Sequence, residues 1–515
     1  MSPVQTGASM AAGPPNNGFE ALGAMMIERR TFAAFAIALA LSACASTGFK
    51  VSDSEFTSLE NRIDQHISVL ASDEFAGRRP GTIGETKTLD YMRSVLEPAG
   101  FVSGTNDPAN PWNAPVLLAN IKGESALAQF KIGRRVIPVD PDTIAAATEA
   151  HRALMEDADT VFVGYADGDV DEALVSGRVA IMLSDPGESP ARRAALREKG
   201  PVAVVTVVES AESTAQIRQF QMRDRLILAS QADENVSVFL AREALASVLG
   251  ESRWAELLEL ADASKGGNDF APIPLNAKLT LDIRTERREV PSRNFLAKLP
   301  GTNPDSGAVL LLGHWDHFGE CGPDDAEDRL CNGAVDNASG IGLMMELGKR
   351  LAAGEPMERD LYILGTTAEE WGLLGAQAFA DEPPMPLENI VAAFNFDTVA
   401  ISARGSPVGF IGEGRTPLDA IIKEAINDTG RELAPRELTE PFLQRQDGWA
   451  LLQRDVPSVL LSNAFGSEEK LTEFLSGDYH QASDNPGNIE LGGAVDDLLL
   501  HELLIRRVAD SSVYP

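Results

Sequence analysis

The sequence predicts an α/β protein with a mixed, mostly parallel sheet flanked by helices and interrupted by a β-rich inserted domain. Three features of the sequence lead to this prediction. After Asn276, strand-like and helix-like segments alternate, whereas residues between about 125 and 270 form short β-rich runs separated by Gly, Pro and Asp. From Phe49 to about Trp112 the sequence is helical in character. Strands that alternate with helices are typical of a parallel sheet covered on both faces.

The amino-terminal helical region contains the run TKTLDYMRSVLEPAGF. Its apolar residues Leu89, Met92 and Leu96 recur at helical spacing, and Gly100 supplies a stop signal. In the β-rich part, the runs TVFVGYAD, GRVAIMLSD and GPVAVVTVVES are short, apolar and bounded by turn residues. They predict a β-containing module that is separate from the alternating part of the chain.

The alternating part begins with a strand-like AVLLLG at 308–313. The run SGIGLMMELGKRLAAG then predicts a helix, because its apolar residues recur at helical spacing on one face. That face consists of Ile341, Met344, Met345, Gly348 and Leu351. A strand DLYILGTT, a short helix GLLGAQAFA and a buried strand IVAAFNF follow.

Length and charge limit the classes of protein to consider. The chain has 515 residues, which at about 150 residues per domain indicates two to four domains. With 44 basic and 77 acidic residues its formal net charge is −33, which repels polyanions and argues against nucleic-acid binding through a basic face. An apolar fraction of 44% supplies enough material for a substantial core, which favours a globular protein.

Residues 28–44, ERRTFAAFAIALALSAC, predict an export signal. Arg29 and Arg30 form a basic start, the apolar stretch that follows is too short to span a bilayer, and small residues precede Cys44. The residues LSAC at 41–44 resemble the lipobox of bacterial lipoproteins, which implies lipidation at Cys44 and anchoring on the periplasmic side of a membrane. The alternative is an ordinary secretory signal with an incidental cysteine. Residues 1–24 do not resemble the basic start of a signal peptide, so translation is expected to begin at Met25 or Met26.

Two of the three cysteines remain once Cys44 is assigned to the anchor. Cys321 and Cys331 lie in a polar loop, CGPDDAEDRLC, and in an oxidising compartment such a pair normally forms a disulfide. A soft metal site is the alternative, but no CxxC motif accompanies the pair. The disulfide is therefore favoured.

Polar residues that suit metal binding follow the predicted strands. Open α/β sheets bind ligands at the carboxyl ends of their strands, so the side chains after each strand are candidates for a site. These candidates are imidazoles and carboxylates, and they are His314, Asp316, His317, Asp336, Glu369, Glu370, Asp397 and His480. Imidazole and carboxylate ligands without a thiolate suit Zn²⁺ in a hydrolytic site. In two-metal hydrolases one carboxylate bridges the ions, and a further carboxylate serves as base.

The motifs GHWDHFG, NGAVDNASG, TAEEWGLLGA, NFDTVA and DYHQASDNP occur in this order between residues 308 and 487. Together they resemble the M28 family of zinc-dependent exopeptidases, and LASDEFAGRRPGT at 70–82 is similar to a segment found near the start of bacterial members. Residues 125–270 are similar to a protease-associated (PA) domain. The resemblance implies a zinc-exopeptidase-like fold, peptide substrates and two zinc ions.

The resemblance also implies a role for each candidate residue. His314 and Asp397 would hold one zinc ion, Glu370 and His480 the other, and Asp336 would bridge both. The catalytic roles would fall to Glu369 as general base, Tyr479 as hydrogen-bond donor to the oxyanion, and Asp316 as the residue that orients His314. A cis peptide between Asp336 and Asn337 is common in the family. His317 could approach the metals or simply cap the loop, and the structural role is favoured.

Two departures from the family pattern are modest. In the motif NFDTVA, Thr398 and Val399 stand where Met and Gly often follow the aspartate in the family. This departure is expected to alter the pocket but leaves the ligand Asp397 in place. Phe379 stands where a tyrosine is common, as a packing change.

With this resemblance, the predicted organisation has four parts. They are a leader and signal peptide at 1–43, a linker and first part of the catalytic domain at 44–124, the PA-like insert at 125–270, and the main catalytic part at 271–515. The PA-like insert could gate substrate entry or bind a partner.

The predicted function is that of an exported, lipid-anchored di-zinc aminopeptidase. A carboxypeptidase or dipeptidase of the same family is the first alternative, because members share these ligands and differ in pocket residues. A glutaminyl cyclase and a non-catalytic receptor-like binding protein are further alternatives. A non-catalytic binding protein would be expected to lack some of the metal ligands, whereas all five candidate metal ligands and the base are present here.

Overall fold

The structure is a computed structural model that describes residues 51–185, 187–232, 236–266, 270–322 and 325–515. The predicted signal segment and the predicted lipidation site Cys44 lie outside the described residues. Within the described ranges, no helix is both long enough and apolar enough to cross a membrane.

Fourteen α-helices occur in the described part of the chain. In chain order they are α1 (Asp53–Leu70), α2 (Ile83–Leu96), α3 (Glu172–Val175), α4 (Ser189–Arg197), α5 (Ala211–Gln221), α6 (Arg242–Leu249), α7 (Glu251–Ser264), α8 (Gly340–Ala353), α9 (Leu374–Asp381), α10 (Asp419–Asp428), α11 (Arg436–Thr439), α12 (Gly448–Leu452), α13 (Glu468–Ser476) and α14 (Gly492–Val508).

The same residues contain seventeen β-strands. They are β1 (Val102–Ser103), β2 (Asn113–Ile132), β3 (Arg135–Pro138), β4 (Ile144–Thr148), β5 (Arg152–Phe162), β6 (Val179–Leu183), β7 (Ala203–Val208), β8 (Arg225–Leu228), β9 (Val236–Ala241), β10 (Ile273–Leu299), β11 (Ala308–His314), β12 (Gly319–Glu320), β13 (Leu330–Cys331), β14 (Asp360–Thr366), β15 (Ile390–Asn395), β16 (Gly409–Ile411) and β17 (Ser458–Ser462).

The sheet that carries the candidate site follows the order β16-β17-β15-β11-β14-β10. Strands β11, β14, β15 and β17 are mutually parallel where they pair, while β10 and β16 run antiparallel at the two sides. Helices cover both faces of this sheet. The predicted fold class, a mixed and mostly parallel sheet flanked by helices, is therefore confirmed.

Burial on both faces explains why the central strands are continuously apolar in sequence. Every residue of β11 is buried, and successive side chains point to opposite faces. Val309 and Leu311 join the core beneath helices α1, α8 and α14, whereas Leu310 and Leu312 join the core beneath α9 and α12. The apolar face predicted for residues 341–351 is buried in helix α8, which packs between α1 and α14.

Residues 113–299 extend the same sheet with a second hydrophobic core. Strands β5, β6, β7 and β9 are parallel, and β4 pairs antiparallel with β9 at the edge. Their core contains Phe130, Phe162 and Leu279 together with Trp254 from α7. The assignment of this region to a PA-like domain stays a prediction.

Two long strands connect the second core with the site-bearing sheet. Strand β10 pairs antiparallel with β2 from Phe295 opposite Asn113 to Lys278 opposite Lys131, with an irregularity after Arg284. The carboxyl-terminal end of β10 also pairs with β14, so one strand contributes to both parts of the sheet. The long antiparallel pair of β2 and β10 therefore joins the two parts through continuous backbone hydrogen bonding.

Candidate metal centre

The candidate site lies at the carboxyl ends of neighbouring parallel strands, as the sequence predicts. His314 is the last residue of β11, Glu369 and Glu370 form a turn shortly after β14, and Asp397 follows β15. Asp336 comes from the irregular turn that leads into α8. The strand order β15-β11-β14 places these ends side by side.

One group of potential ligands surrounds His314. Its Nε2 lies 3.2 Å from Oδ1 of Asp336 and 3.5 Å from Oδ1 of Asp397. One ligand atom from each of these three residues falls within 4.8 Å of the others. Two carboxylates and an imidazole at this spacing can hold a metal ion of the zinc type.

A second group surrounds Glu370. Nε2 of His480 lies 3.0 Å from Oε2 of Glu370 and 3.4 Å from Oδ2 of Asp336. The two carboxylate oxygens of Asp336 thus face different imidazoles, Oδ1 towards His314 and Oδ2 towards His480. This is the arrangement that a bridging carboxylate between two ions requires. The structure brings all five predicted ligands together.

His317 lies next to the second group of ligands, although the sequence favoured a role in capping the loop. Its Nδ1 forms a hydrogen bond with Oε1 of Glu370, and His317, Asp336 and Glu370 offer ligand atoms within 4.8 Å of one another. The ring is fully buried, and its Nε2 has no hydrogen-bond partner among the described residues. The sequence signal for this proximity was the spacing of the two histidines within GHWDHFG.

Asp316 contacts two parts of the site. Its backbone carbonyl oxygen lies 3.2 Å from Nδ1 of His314, whereas its carboxylate is 4.0 Å from that nitrogen. The carboxylate instead accepts a hydrogen bond from the backbone N–H of Glu369, at 3.1 Å. Asp316 therefore links the strand end that carries His314 to the turn that carries Glu369.

Asp484 and Asn337 hold the segment around Asp336. The carboxylate of Asp484 accepts hydrogen bonds from the backbone N–H groups of Val335, at 2.8 Å, and Asp336, at 3.1 Å. The peptide between Asp336 and Asn337 is cis, and the Asn337 side chain donates to the carbonyl of Phe396, at 2.8 Å. Because Phe396 precedes Asp397, this bond connects the bridging segment to the next ligand.

Arg78 connects the segment that follows His314 with the segment that precedes Asp336. Its guanidinium is buried and donates hydrogen bonds to backbone carbonyls. The four acceptors are Trp315 (2.8 Å), Leu70 (2.9 Å), Asn332 (2.5 Å) and Gly333 (2.8 Å). Burial lowers the pKa of Arg78 to about 10, partly offset by nearby carboxylates, so the side chain stays cationic at neutral pH. Sequence reasoning did not single out this residue, which acts entirely on main-chain groups.

The site contains many carboxyl groups that are shielded from solvent. Burial raises the pKa of Asp316 to about 8, and it raises the pKa values of Asp447 and Asp484 to about 6. Burial, together with the charges of neighbouring carboxylates, also raises the pKa of Glu369 well above its usual range. Bringing like charges together without water is unfavourable, so this cluster calls for cations. The donor set of imidazoles and carboxylates fits zinc.

Tyr479 lies beside the second group of ligands. Its ring stacks on His480, with the ring centroids 3.7 Å apart. Burial, reinforced by the charge of Asp336, raises the pKa of Tyr479 above its usual value, so the phenol keeps its proton. Its Oη accepts a hydrogen bond from Nη2 of Arg445, at 3.4 Å.

Cys321 and Cys331 form a disulfide in the structure, with their Cα atoms 5.8 Å apart. The bridge joins the region of the two short paired strands β12 and β13. Sγ of Cys321 lies 3.2 Å from the carbonyl oxygen of His480. The disulfide therefore lies against the segment that supplies a predicted ligand.

Cavity size alone does not locate this site. A cavity of about 770 Å³ lies among residues of β2, β8, β10 and α9, and none of the predicted ligands lines it. The predicted ligands Asp336 and Asp397 line a different cavity, together with Glu369 and Tyr479. Its apolar lining consists of Ile411, Phe442, Phe465, Leu471 and Leu475.

Residues 294–497 match the model of Peptidase family M28. The alkaline phosphatase isozyme conversion protein of Escherichia coli (strain K12) is 31% identical over 100 residues, which cover 19% of this chain and 28% of that protein. A probable zinc metalloprotease of Pyrenophora tritici-repentis is 30% identical over 160 residues, which cover 28% of this chain and 32% of that protein. The matches span less than a third of the length of these two relatives.

Solved structures with a similar chain course include the aminopeptidase from Aneurinibacillus sp. strain AM-1. It is 15% identical, with a TM-score of 0.48 over 87% of this chain and 93% of that chain. A zinc aminopeptidase from Bacillus subtilis is 16% identical, with a TM-score of 0.45 over 87% of this chain and 94% of that one.

The family match confirms the predicted M28 resemblance for the segment that carries the site, since residues 294–497 include all five predicted ligands. The match supports zinc as the metal and a peptidase as the class of enzyme. The resemblance of residues 125–270 to a PA domain stays a prediction.

Replacing Arg78 by lysine is expected to weaken zinc binding by about tenfold or more, because residues that hold ligand-bearing segments commonly contribute this much to metal affinity. Lysine keeps the charge but cannot reach the same set of carbonyls. Competition with a chelator measures the affinity. Arg79→Lys is the matched control, since Arg79 makes one such bond, to the carbonyl of Phe318 at 3.1 Å. Equal effects of the two substitutions would contradict the role assigned to Arg78.

Zinc affinity of the metal-free protein is expected to rise with pH towards about 9. Burial disfavours a charged imidazole, but Asp336 and Glu370 outweigh this effect and raise the pKa of His480 to about 9. At neutral pH a proton on His480 must leave when zinc binds. The zinc affinity therefore falls about tenfold for each displaced proton when the pH is lowered by one unit. Calorimetric titration at several pH values measures the slope. His480→Gln should flatten it, and an unchanged slope in that variant would contradict this explanation.

Proposed function

We propose that the protein is an exported di-zinc aminopeptidase that removes the amino-terminal residue of peptides. One observation carries this proposal. The two carboxylate oxygens of the buried Asp336 face separate imidazoles, His314 and His480, and each imidazole lies next to a further carboxylate. The segment with this geometry matches Peptidase family M28.

The residues that would hold the metals follow from the two groups. His314 and Asp397 would bind one ion, Glu370 and His480 the other, and Asp336 would bridge them. Bound zinc would supply a polarised water molecule and a Lewis acid for the substrate carbonyl.

Glu369 is suited to move the proton in this reaction. Its Oε2 lies 4.0 Å from Nε2 of His314, close to the metal ligands, and its side chain also lines the cavity. The carboxylate takes a proton from the attacking water and passes it to the amine that leaves.

Tyr479 is suited to stabilise the reacting carbonyl oxygen. Its phenol lines the same cavity as Glu369, and stacking on His480 fixes the ring. Because the pKa of Tyr479 is raised, the phenol keeps a proton that it can donate as negative charge develops on the carbonyl oxygen. Asp316 supports Glu369 indirectly, since it joins the segments of His314 and Glu369.

The cavity favours a free amino terminus on the substrate. Asp336, Glu369 and Asp397 line it, and Glu369, which is not among the proposed ligands, can accept a hydrogen bond from an α-ammonium group. An acetylated amino terminus carries no charge and loses this attraction.

Export and anchoring at Cys44 are part of the proposal. Their support is the sequence ERRTFAAFAIALALSAC at 28–44, with its basic start, apolar stretch and closing cysteine. The disulfide between Cys321 and Cys331 agrees with an oxidising compartment. Cell fractionation tests anchoring, because Cys44→Ser should release the protein from the membrane fraction. A variant that stays in that fraction would refute lipidation at this position.

Glu369→Gln is expected to lower kcat on unblocked peptides by about 10²–10⁴-fold, because a positioned general base contributes this much. Zinc content should stay near that of the wild type, since Glu369 is not among the proposed ligands. Steady-state kinetics and metal analysis measure the two effects. Glu388→Gln is the matched control, because Glu388 is exposed and precedes the amino end of β15, whereas Asp397 follows the carboxyl end of that strand.

A comparison of peptides with free and with acetylated amino termini tests the class of peptidase at the same time. Unblocked peptides should be cleaved from the amino end, and their N-acetylated forms should resist cleavage. Turnover of N-acetylated peptides from the carboxyl end would replace the aminopeptidase assignment with a carboxypeptidase.

A further inference from the structure

Arg445 brings a positive charge to the cavity that holds the metal ligands. It lines this cavity together with Asp336, Glu369, Asp397 and Tyr479. Its side chain is exposed, so the guanidinium can be reached from solvent. Two contacts define its position, the hydrogen bond from Nη2 to Oη of Tyr479 at 3.4 Å and the approach of the guanidinium carbon to 5.4 Å from the ring centroid of Phe442.

Among the residues that the structure describes, no carboxylate pairs with Arg445. Within the described ranges, no Asp or Glu oxygen lies within 4.0 Å of its guanidinium nitrogens, although the chain has a net charge of −33. By contrast, Arg415 and Arg436 both pair with Glu440, at 2.6 and 2.9 Å. The guanidinium beside the active-site tyrosine is thus left available to an external anion.

The chemistry of that anion follows from the geometry. A guanidinium presents paired N–H donors that match the two oxygens of a carboxylate. The proposed function places the carbonyl of the scissile bond at the hydroxyl of Tyr479, and Nη2 of Arg445 lies 3.4 Å from that hydroxyl. In a dipeptide, the free α-carboxylate belongs to the residue directly after the scissile bond. A longer peptide carries an uncharged carbonyl there and its carboxylate further away.

Electrostatics of the cavity point the same way. Bound zinc would balance the charges of Asp336 and Asp397, so Glu369 is the carboxylate of this lining that would repel a substrate carboxylate. Arg445 is the cationic side chain among the described residues that line this cavity. It can offset the repulsion at the place where the second residue of a dipeptide would lie.

We infer that Arg445 binds the free α-carboxylate of the residue that follows the scissile bond, and that dipeptides with a free carboxyl end are the preferred substrates. The inference rests on the proposed function and narrows its substrate class. Arg445 acts here as a specificity-determining residue on the leaving side of the substrate.

The test compares the dipeptide Leu-Ala with its carboxyl-terminal amide, using the zinc-loaded full chain. The measured quantity is the ratio of kcat/KM for the free acid to kcat/KM for the amide. The wild type should favour the free acid by about tenfold or more, in line with a charge-assisted pair. Arg445→Gln should bring the ratio close to one, chiefly through KM for the acid, and Arg445→Lys should give an intermediate ratio. Arg253→Gln, which removes an exposed arginine on α7, is the matched control and should keep the wild-type ratio.

Two results would overturn the inference alone. A wild-type ratio near one would show that the free carboxylate is not recognised. An equal loss on acid and amide in Arg445→Gln would instead assign Arg445 to the reacting carbonyl or to the placement of Tyr479. Cleavage of the amide from its amino end by the wild type upholds the proposed function in either case. If the zinc-loaded wild type cleaves neither compound, the proposed function fails and this inference fails with it.

Discussion

The structure depends on keeping the carboxylate of Asp336 buried between two imidazole–carboxylate pairs. Several more acids lie close by, and burial raises the pKa values of Asp316 and Glu369. Such a cluster is unfavourable unless cations balance it. The surrounding contacts can be understood as the means of holding it. Asp484 fixes the backbone of Asp336, and Arg78 fastens the loops on either side.

Much of the fold could be predicted because the central strands are buried on both faces. Continuous apolar runs mark β11, β14 and β15, and helical spacing marks α8. The length of β10 and its pairing with both β2 and β14 could not be predicted in the same way. Its pairing joins segments that are distant in the chain, and local patterns of polar and apolar residues carry no information about such partners.

The site was predictable as a set of residue types at strand ends, because parallel strands bring their carboxyl ends together. What sequence reasoning missed are residues whose role depends on non-local contacts. Arg78 binds backbone carbonyls of distant loops, and Arg445 reaches Tyr479 only in the folded chain. His317 was visible as a motif neighbour, but its hydrogen bond to Glu370 depends on how two strand ends are placed.

The central claim is that Asp336 bridges two zinc ions. A crystal structure of the zinc-loaded protein, with anomalous data collected at the zinc absorption edge, tests it most directly. The account predicts two anomalous peaks about 3.5–4 Å apart, one against each carboxylate oxygen of Asp336. A single peak, or two peaks that do not share Asp336, would contradict it.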